Sequence, residues 1–135
     1  MPRVFSAPWM KSLSDTWNSD SKMVENLSKV GFDANIGFGY IDGDRPRGFL
    51  EVRQGKVVNA GDYIAQSLDW DLRAKPEDWR LWMTEGFGLT RLGFTTATGR
   101  LRFVEGNYRQ MVRNPALARP FLRIFELMAE IETEW

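Results

Sequence analysis

Along residues 8–30 the apolar positions fall at helical intervals. Trp9, Leu13 and Trp17 recur every fourth residue, which stacks them on one face. Pro8 suits a first helical turn. Asn18-Ser19-Asp20-Ser21 reads as a stop followed by a new N-cap. Met23, Val24, Leu27 and Val30 then stripe a second helix, which Gly31 ends. From Ala34 to Ile41 the period becomes two, with Ile36, Phe38 and Tyr40 on one face and Gly37 and Gly39 on the other. Residues 42–46 make a turn. Gly48 to Arg53 and Lys56 to Ala60 are strands joined by a tight Gln54-Gly55 connection. Gly61-Asp62 turns again, and Tyr63 to Leu72 predicts a long fourth strand with Ile64, Leu68, Trp70 and Leu72 on one face. Short turns between successive strands imply an antiparallel meander.

The helical period then returns. Pro76 stands at a first helical position, with Glu77 and Asp78 where the helix dipole favours acids. Trp79, Trp82 and Met83 share a face until Gly86-Phe87-Gly88 breaks the helix. Leu89 to Ala97 is a short helix ended by Gly99, Leu101 to Glu105 a last strand, and Tyr108 to Arg113 a helix. Asn114-Pro115 caps a final helix that carries Pro120 and the stripe Phe121, Ile124, Phe125, Met128 and Ile131. The order α-α-β-β-β-β-α-α-β-α-α is α+β: one mostly antiparallel sheet covered on one face by helices. The 135 residues are expected to form a single domain.

Composition narrows the chemistry. There is no Cys and no His, which removes disulfides, thiol nucleophiles, imidazole bases and nearly every zinc site. No metal, no cofactor and no enzymatic activity are expected. The net charge is zero, against a nucleic-acid partner bound by phosphate neutralisation. No apolar run is long enough to span a membrane, and the N-terminus lacks the apolar core of a signal peptide. A cytoplasmic protein is expected. The charge is uneven: six Arg against one acid from Arg100 to Arg123, then four Glu in the last ten residues.

The stretch from Asp69 to Asn114 holds three of the six Trp, yet no His and no Cys. Its joints carry a likeness to a known family. The opening Trp9-x7-Trp17-Asn18, the hairpin Phe49 to Val57, a strand ending in Asp69-Trp70, a helix from Pro76, and Gly99-Arg100-Leu101-Arg102-Phe103 followed by Gly106-Asn107 together resemble the sterol carrier protein 2 (SCP2) family over nearly the whole chain. The resemblance implies a five-stranded sheet whose helices cover a hydrophobic tunnel for fatty acids, fatty acyl-CoA, sterols or other apolar molecules. The segment Glu85 to Thr98 is longer than its counterpart in the family, and that segment borders the tunnel.

On this reading Leu68, Trp70, Trp79, Trp82, Met83, Phe87, Leu89 and Phe94 form one tunnel wall, with Leu92 beside them. Met111, Phe121, Phe125 and Met128 form the other. The same spacings equally serve ordinary core packing. Arg109 and Arg113, from the set that also holds Arg100, Arg102, Arg119 and Arg123, are the candidates for an anionic head group or for transient contact with a membrane surface. A solvated face is the plainer account of them. Asp69 with Asp71 and Glu77 with Asp78 are the only carboxylate pairs placed for acid–base work. The first pair is expected to face solvent and the second to serve the helix dipole. The expected function is non-covalent carriage of an apolar ligand. The alternative is an accessory subunit whose C-terminal helix docks a partner or a second copy.

Overall fold

The computed structural model describes residues 1–135. Its elements are α1 (Ala7–Ser19), α2 (Ser21–Lys29), β1 (Ala34–Tyr40), β2 (Gly48–Arg53), β3 (Lys56–Asp62), β4 (Trp70–Ala74), α3 (Pro76–Glu85), α4 (Leu89–Ala97), β5 (Arg102–Glu105), α5 (Tyr108–Arg113) and α6 (Pro115–Ala129). Local chemistry sets the boundaries. Ser6 Oγ accepts from Trp9 N at the start of α1. Asp20 ends α1 and caps α2, accepting from Met23 N at 3.1 Å. Asn107 and Asn114 do the same for α5 and α6. The β2–β3 turn places Gln54 at φ 52° and Gly55 at φ 80°. Two successive positive φ values give the twist a two-residue hairpin needs. Gly55 also lies against α2, where a Cβ would come within 2.8 Å of Val24 O.

The five strands lie in the order β3-β2-β1-β4-β5. Three pairings are antiparallel and β1–β4 is parallel, with Ile36 opposite Trp70 and Phe38 opposite Leu72. The predicted meander therefore fails between β3 and β4. Residues 63–69 are not strand; they cross from the sheet edge back to β1, and β4 begins only at Trp70. A parallel neighbour cannot be reached by a tight turn, so a connection has to pass over the sheet. Ile64, predicted to face the core, is 74% exposed on that connection.

Side chains of the sheet alternate as a pleat requires. Ala34, Ile36, Phe38, Leu50, Val52, Trp70 and Leu72 face the helices and join one buried cluster with Trp9, Leu13 and Trp17 of α1 and Phe121 and Phe125 of α6. Trp17 Nε1 donates to Gly55 O, and Asn18 exchanges two 2.9 Å hydrogen bonds with the backbone of Val57, fastening α1 to the hairpin. The opposite face is roofed by chain rather than by helices. A Cβ on Gly37 would meet Pro46 Cγ at 2.8 Å and Leu68 Cδ1 at 2.9 Å. Asp71 and Arg73 also lie on this face. Asp71 is 4% exposed, not solvated as expected. Arg73 grips it through Nε at 2.6 Å and Nη2 at 3.0 Å, and Nη1 donates to Gly43 O at 2.8 Å.

Breaking a buried pair strands the surviving charge away from water. Arg73→Met should lower unfolding free energy by about 3–5 kcal/mol, read from the urea midpoint. Adding Asp71→Leu should recover most of the loss, and a single-mutant loss below ~1 kcal/mol would mean that water reaches the pair. A second ion pair behaves differently. Arg123 Nε donates to Asp20 at 2.8 Å, and this bond, the largest cause, holds the Asp20 carboxyl below the usual carboxylate range. Arg123 is 40% exposed, so screening limits the pair to about 0.5–1 kcal/mol. A depressed folded pKa gives stability that is full above the unfolded value of about 3.9 and lost as pH falls through the folded one. Asp20→Asn keeps an N-cap and removes the pair. Its deficit against wild type should be present at pH 7 and shrink as pH falls below the unfolded value of about 3.9, which melting curves across that range will show.

Candidate functional site

The densest chemistry lies where α3, α4 and α6 meet the sheet. Three features bring it there. Pro76 and the acids of its first turn start α3 directly after β4. Trp79 then reaches down to β1, its Nε1 donating to Gly39 O at 2.9 Å. Asn114 and Pro115 start α6 so that Phe125 points back at α3 and Phe121 at Trp70 of β4. The result is a chain of ring contacts. Trp70 meets Phe121 at 5.5 Å, Phe121 meets Phe125 at 5.6 Å, and Phe125 stacks on Trp79 at 6.0 Å. Trp82 stands edge-on to Trp79 at 5.6 Å and to Phe87 at 5.1 Å. Phe87 closes the set, stacked on Phe125 with centroids 4.1 Å apart.

Of the residues singled out from sequence, Trp70, Trp79, Trp82, Met83, Phe87, Met111, Phe121 and Phe125 are all buried on the helix-covered side. The structure brings six of them into one aromatic cluster, namely Trp70, Trp79, Trp82, Phe87, Phe121 and Phe125. Three others lie apart. Leu68 sits on the opposite face of the sheet, over Gly37. Leu89 and Phe94 stand on the outside of α4, 58% and 61% exposed, while Leu92 and Thr95 carry that helix's buried side. The spacing of α4 fits either face.

The rings pack directly against one another. Hollows with largely polar linings open at the surface, one of about 570 Å³ bordered by Asp15, Ser19, Lys22, Arg123 and Glu130. The arginines divide. Arg100 is bonded to Asp78, and Arg123 to Asp20 and Glu126, which raises the pKa of both guanidinium groups. Arg109 and Arg113 are exposed on α5 and form no ion pair. The carboxylates do not form an acid–base pair: Asp71 is held by Arg73 and Asp78 by Arg100, while Asp69 accepts from Asn35 N and Glu77 is exposed.

One feature has no signature in the sequence. Trp9, Trp17, Trp79 and Trp82 are the fully buried tryptophans. Three donate their indole N–H to an oxygen: Trp9 to Thr133 Oγ1, Trp17 to Gly55 O and Trp79 to Gly39 O. Trp82 Nε1 is buried with no hydrogen-bond partner. Helical spacing marks Trp82 as interior but is silent about its nitrogen.

No protein-family model matches the chain. No curated protein matches it either. Solved structures do. A crystal structure of sterol carrier protein 2 superposes with a TM-score of 0.75 at 12% identity, over 96% of this chain and 100% of the other. A conserved hypothetical protein from Thermus thermophilus, described as possibly a sterol carrier protein, gives 0.71 at 12% identity, over 98% and 92%. A UbiJ-SCP2 ubiquinone synthesis protein gives 0.60 at 12% identity, over 90% and 89%. The open five-stranded α+β sheet with its helices is thus an SCP2-like fold.

Proposed function

We propose that the protein binds an apolar ligand without covalent change, among the rings between α3, α4 and α6, and carries it in the cytoplasm. The observation that carries this reading is the aromatic cluster itself, which contains soft, large side chains and lies beneath the Gly86–Gly88 joint. The names of the structural neighbours point the same way: two refer to sterol carrier proteins and one to ubiquinone synthesis. Each methylene buried contributes roughly 0.8 kcal/mol. A twelve-carbon chain therefore gains on the order of 10 kcal/mol gross, against an association cost of at least ~4 kcal/mol. At most about 6 kcal/mol remains, an affinity on the order of tens of micromolar, which suits uptake and release. The closed packing of the rings means that a ligand enters only as they part. Arg109 and Arg113 stand free on α5 to meet a phosphate-bearing head group or the anionic surface of a membrane.

A second reading, an accessory subunit that docks a partner, draws on the filled interior and on the synthesis protein among the neighbours. The apolar stripe of α6 is buried in the core, so docking would use other surfaces.

The two readings separate on delipidated protein. Tryptophan quenching during titration with a fatty acid and with an acyl-CoA should show saturable binding on the order of tens of micromolar. Arg109→Ala with Arg113→Ala should weaken acyl-CoA about tenfold, the scale of one or two charged hydrogen bonds, and leave the fatty acid unchanged. Absence of saturable binding to either, together with a stable dimer or partner complex by native mass, would favour the accessory reading.

A further inference from the structure

The unpartnered Trp82 nitrogen constrains what the cluster takes. A buried donor without an acceptor is destabilising, and native structures rarely leave one. The other three fully buried indoles of this chain conform. Trp82, 1% exposed, does not. Its neighbours are rings: Trp79, Phe87 and Phe125. An aromatic face is only a weak substitute for an oxygen.

Phe87 is the neighbour best placed to leave. It follows Gly86, whose φ of 91° belongs to a region that side chains avoid, and precedes a second glycine, Gly88. The joint is fastened from outside, where Arg91 donates to Gly86 O at 2.9 Å and lies 3.8 Å from Glu85. No polar side chain reaches Phe87 from within. Turning its ring outward vacates space beside Phe125 and Trp82.

We propose that Trp82 Nε1–H is the polar anchor of the ligand, and that it selects an apolar molecule with a neutral hydrogen-bond acceptor, a ketone or ester carbonyl, admitted when Phe87 swings out. The assignment deepens the apolar-ligand reading and rests on it. The chemistry of the donor sets the class. Indole offers a hydrogen and no lone pair, so the ligand supplies an acceptor. A carboxylate at the same point would lie buried without a cation.

The test uses a long-chain methyl ketone and the alkane of the same length as probes, with wild type, Trp82→Phe and Phe87→Ala. Trp82→Phe should weaken the ketone about tenfold, the scale of one hydrogen bond to a buried donor, and leave the alkane within about twofold. In a nitrogen–proton correlation spectrum, the indole peak that Trp82→Phe deletes should move downfield with ketone and not with alkane. Phe87→Ala should speed association of both probes and keep the ketone's dependence on Trp82. If both probes bind and Trp82→Phe weakens neither selectively, the anchor is wrong while the apolar site stands. If neither binds any of the three proteins, the apolar site falls and the anchor with it. Unchanged association rates in Phe87→Ala would overturn the role given to Phe87.

Discussion

The parallel pairing of β1 with β4 governs the rest of the molecule. To lie beside β1, the chain leaves the edge strand β3, crosses β2 and β1 and returns at Trp70. A sheet pleat sends alternate side chains to opposite faces, so this return fixes which residues of β4 go where. Trp70 and Leu72 join Ile36 and Phe38 under the helices, while Asp71 and Arg73 go to the other side. It also delivers Pro76 to a place from which α3 runs over the sheet. Pairing β4 elsewhere would leave Trp79 without Gly39 and Arg73 without the carbonyls it satisfies.

The two faces solve different problems. The helix-covered face is apolar and closes by ring packing, where each contact is weak and the total large. The other face has a charged pair at its centre, and a buried charge is tolerable only when its hydrogen-bonding capacity is met. Asp71 receives two donors from Arg73, and the remaining nitrogen of Arg73 reaches loop carbonyls. Gly37 and Gly39 let the loop backbone descend close enough for this. The small residues of β1 and the charges of β4 are one arrangement seen on two neighbouring strands.

The eleven elements are legible in the sequence in their right order, because each long one has a clear period and a capping residue. The glycine of the Gln54-Gly55 turn and the asparagine caps of α5 and α6 are read correctly for the same local reason. The crossing segment is not legible. Tyr63 to Leu72 alternates well enough to pass for one strand, yet Leu68 covers the far face and Trp70 the near one. A period of two records that faces alternate, not that the chain has stayed in the sheet. Asp71 looked solvent-bound because a lone acid usually is; an arginine two positions on, on the same side of the strand, was the available signal. At the candidate site the interior rings are legible, and the outward turn of Leu89 and Phe94 is not, since nothing local decides which way α4 rolls.

The grip of Arg73 on Gly43 O has a consequence for how this chain can vary in length. Surface loops usually accept insertions and deletions freely. The β1–β2 connection cannot, because adding or removing a residue would shift the carbonyl away from the guanidinium and Pro46 away from Gly37. The hairpin turn is equally constrained, with Gly55 wedged against α2. Around the α3–α4 joint, by contrast, a Cβ on Gly86 or Gly88 would meet nothing within 4 Å. Evolution can lengthen or recut this chain there without disturbing the sheet, so diversity among proteins of this shape is expected to collect in the one segment that overlies the rings.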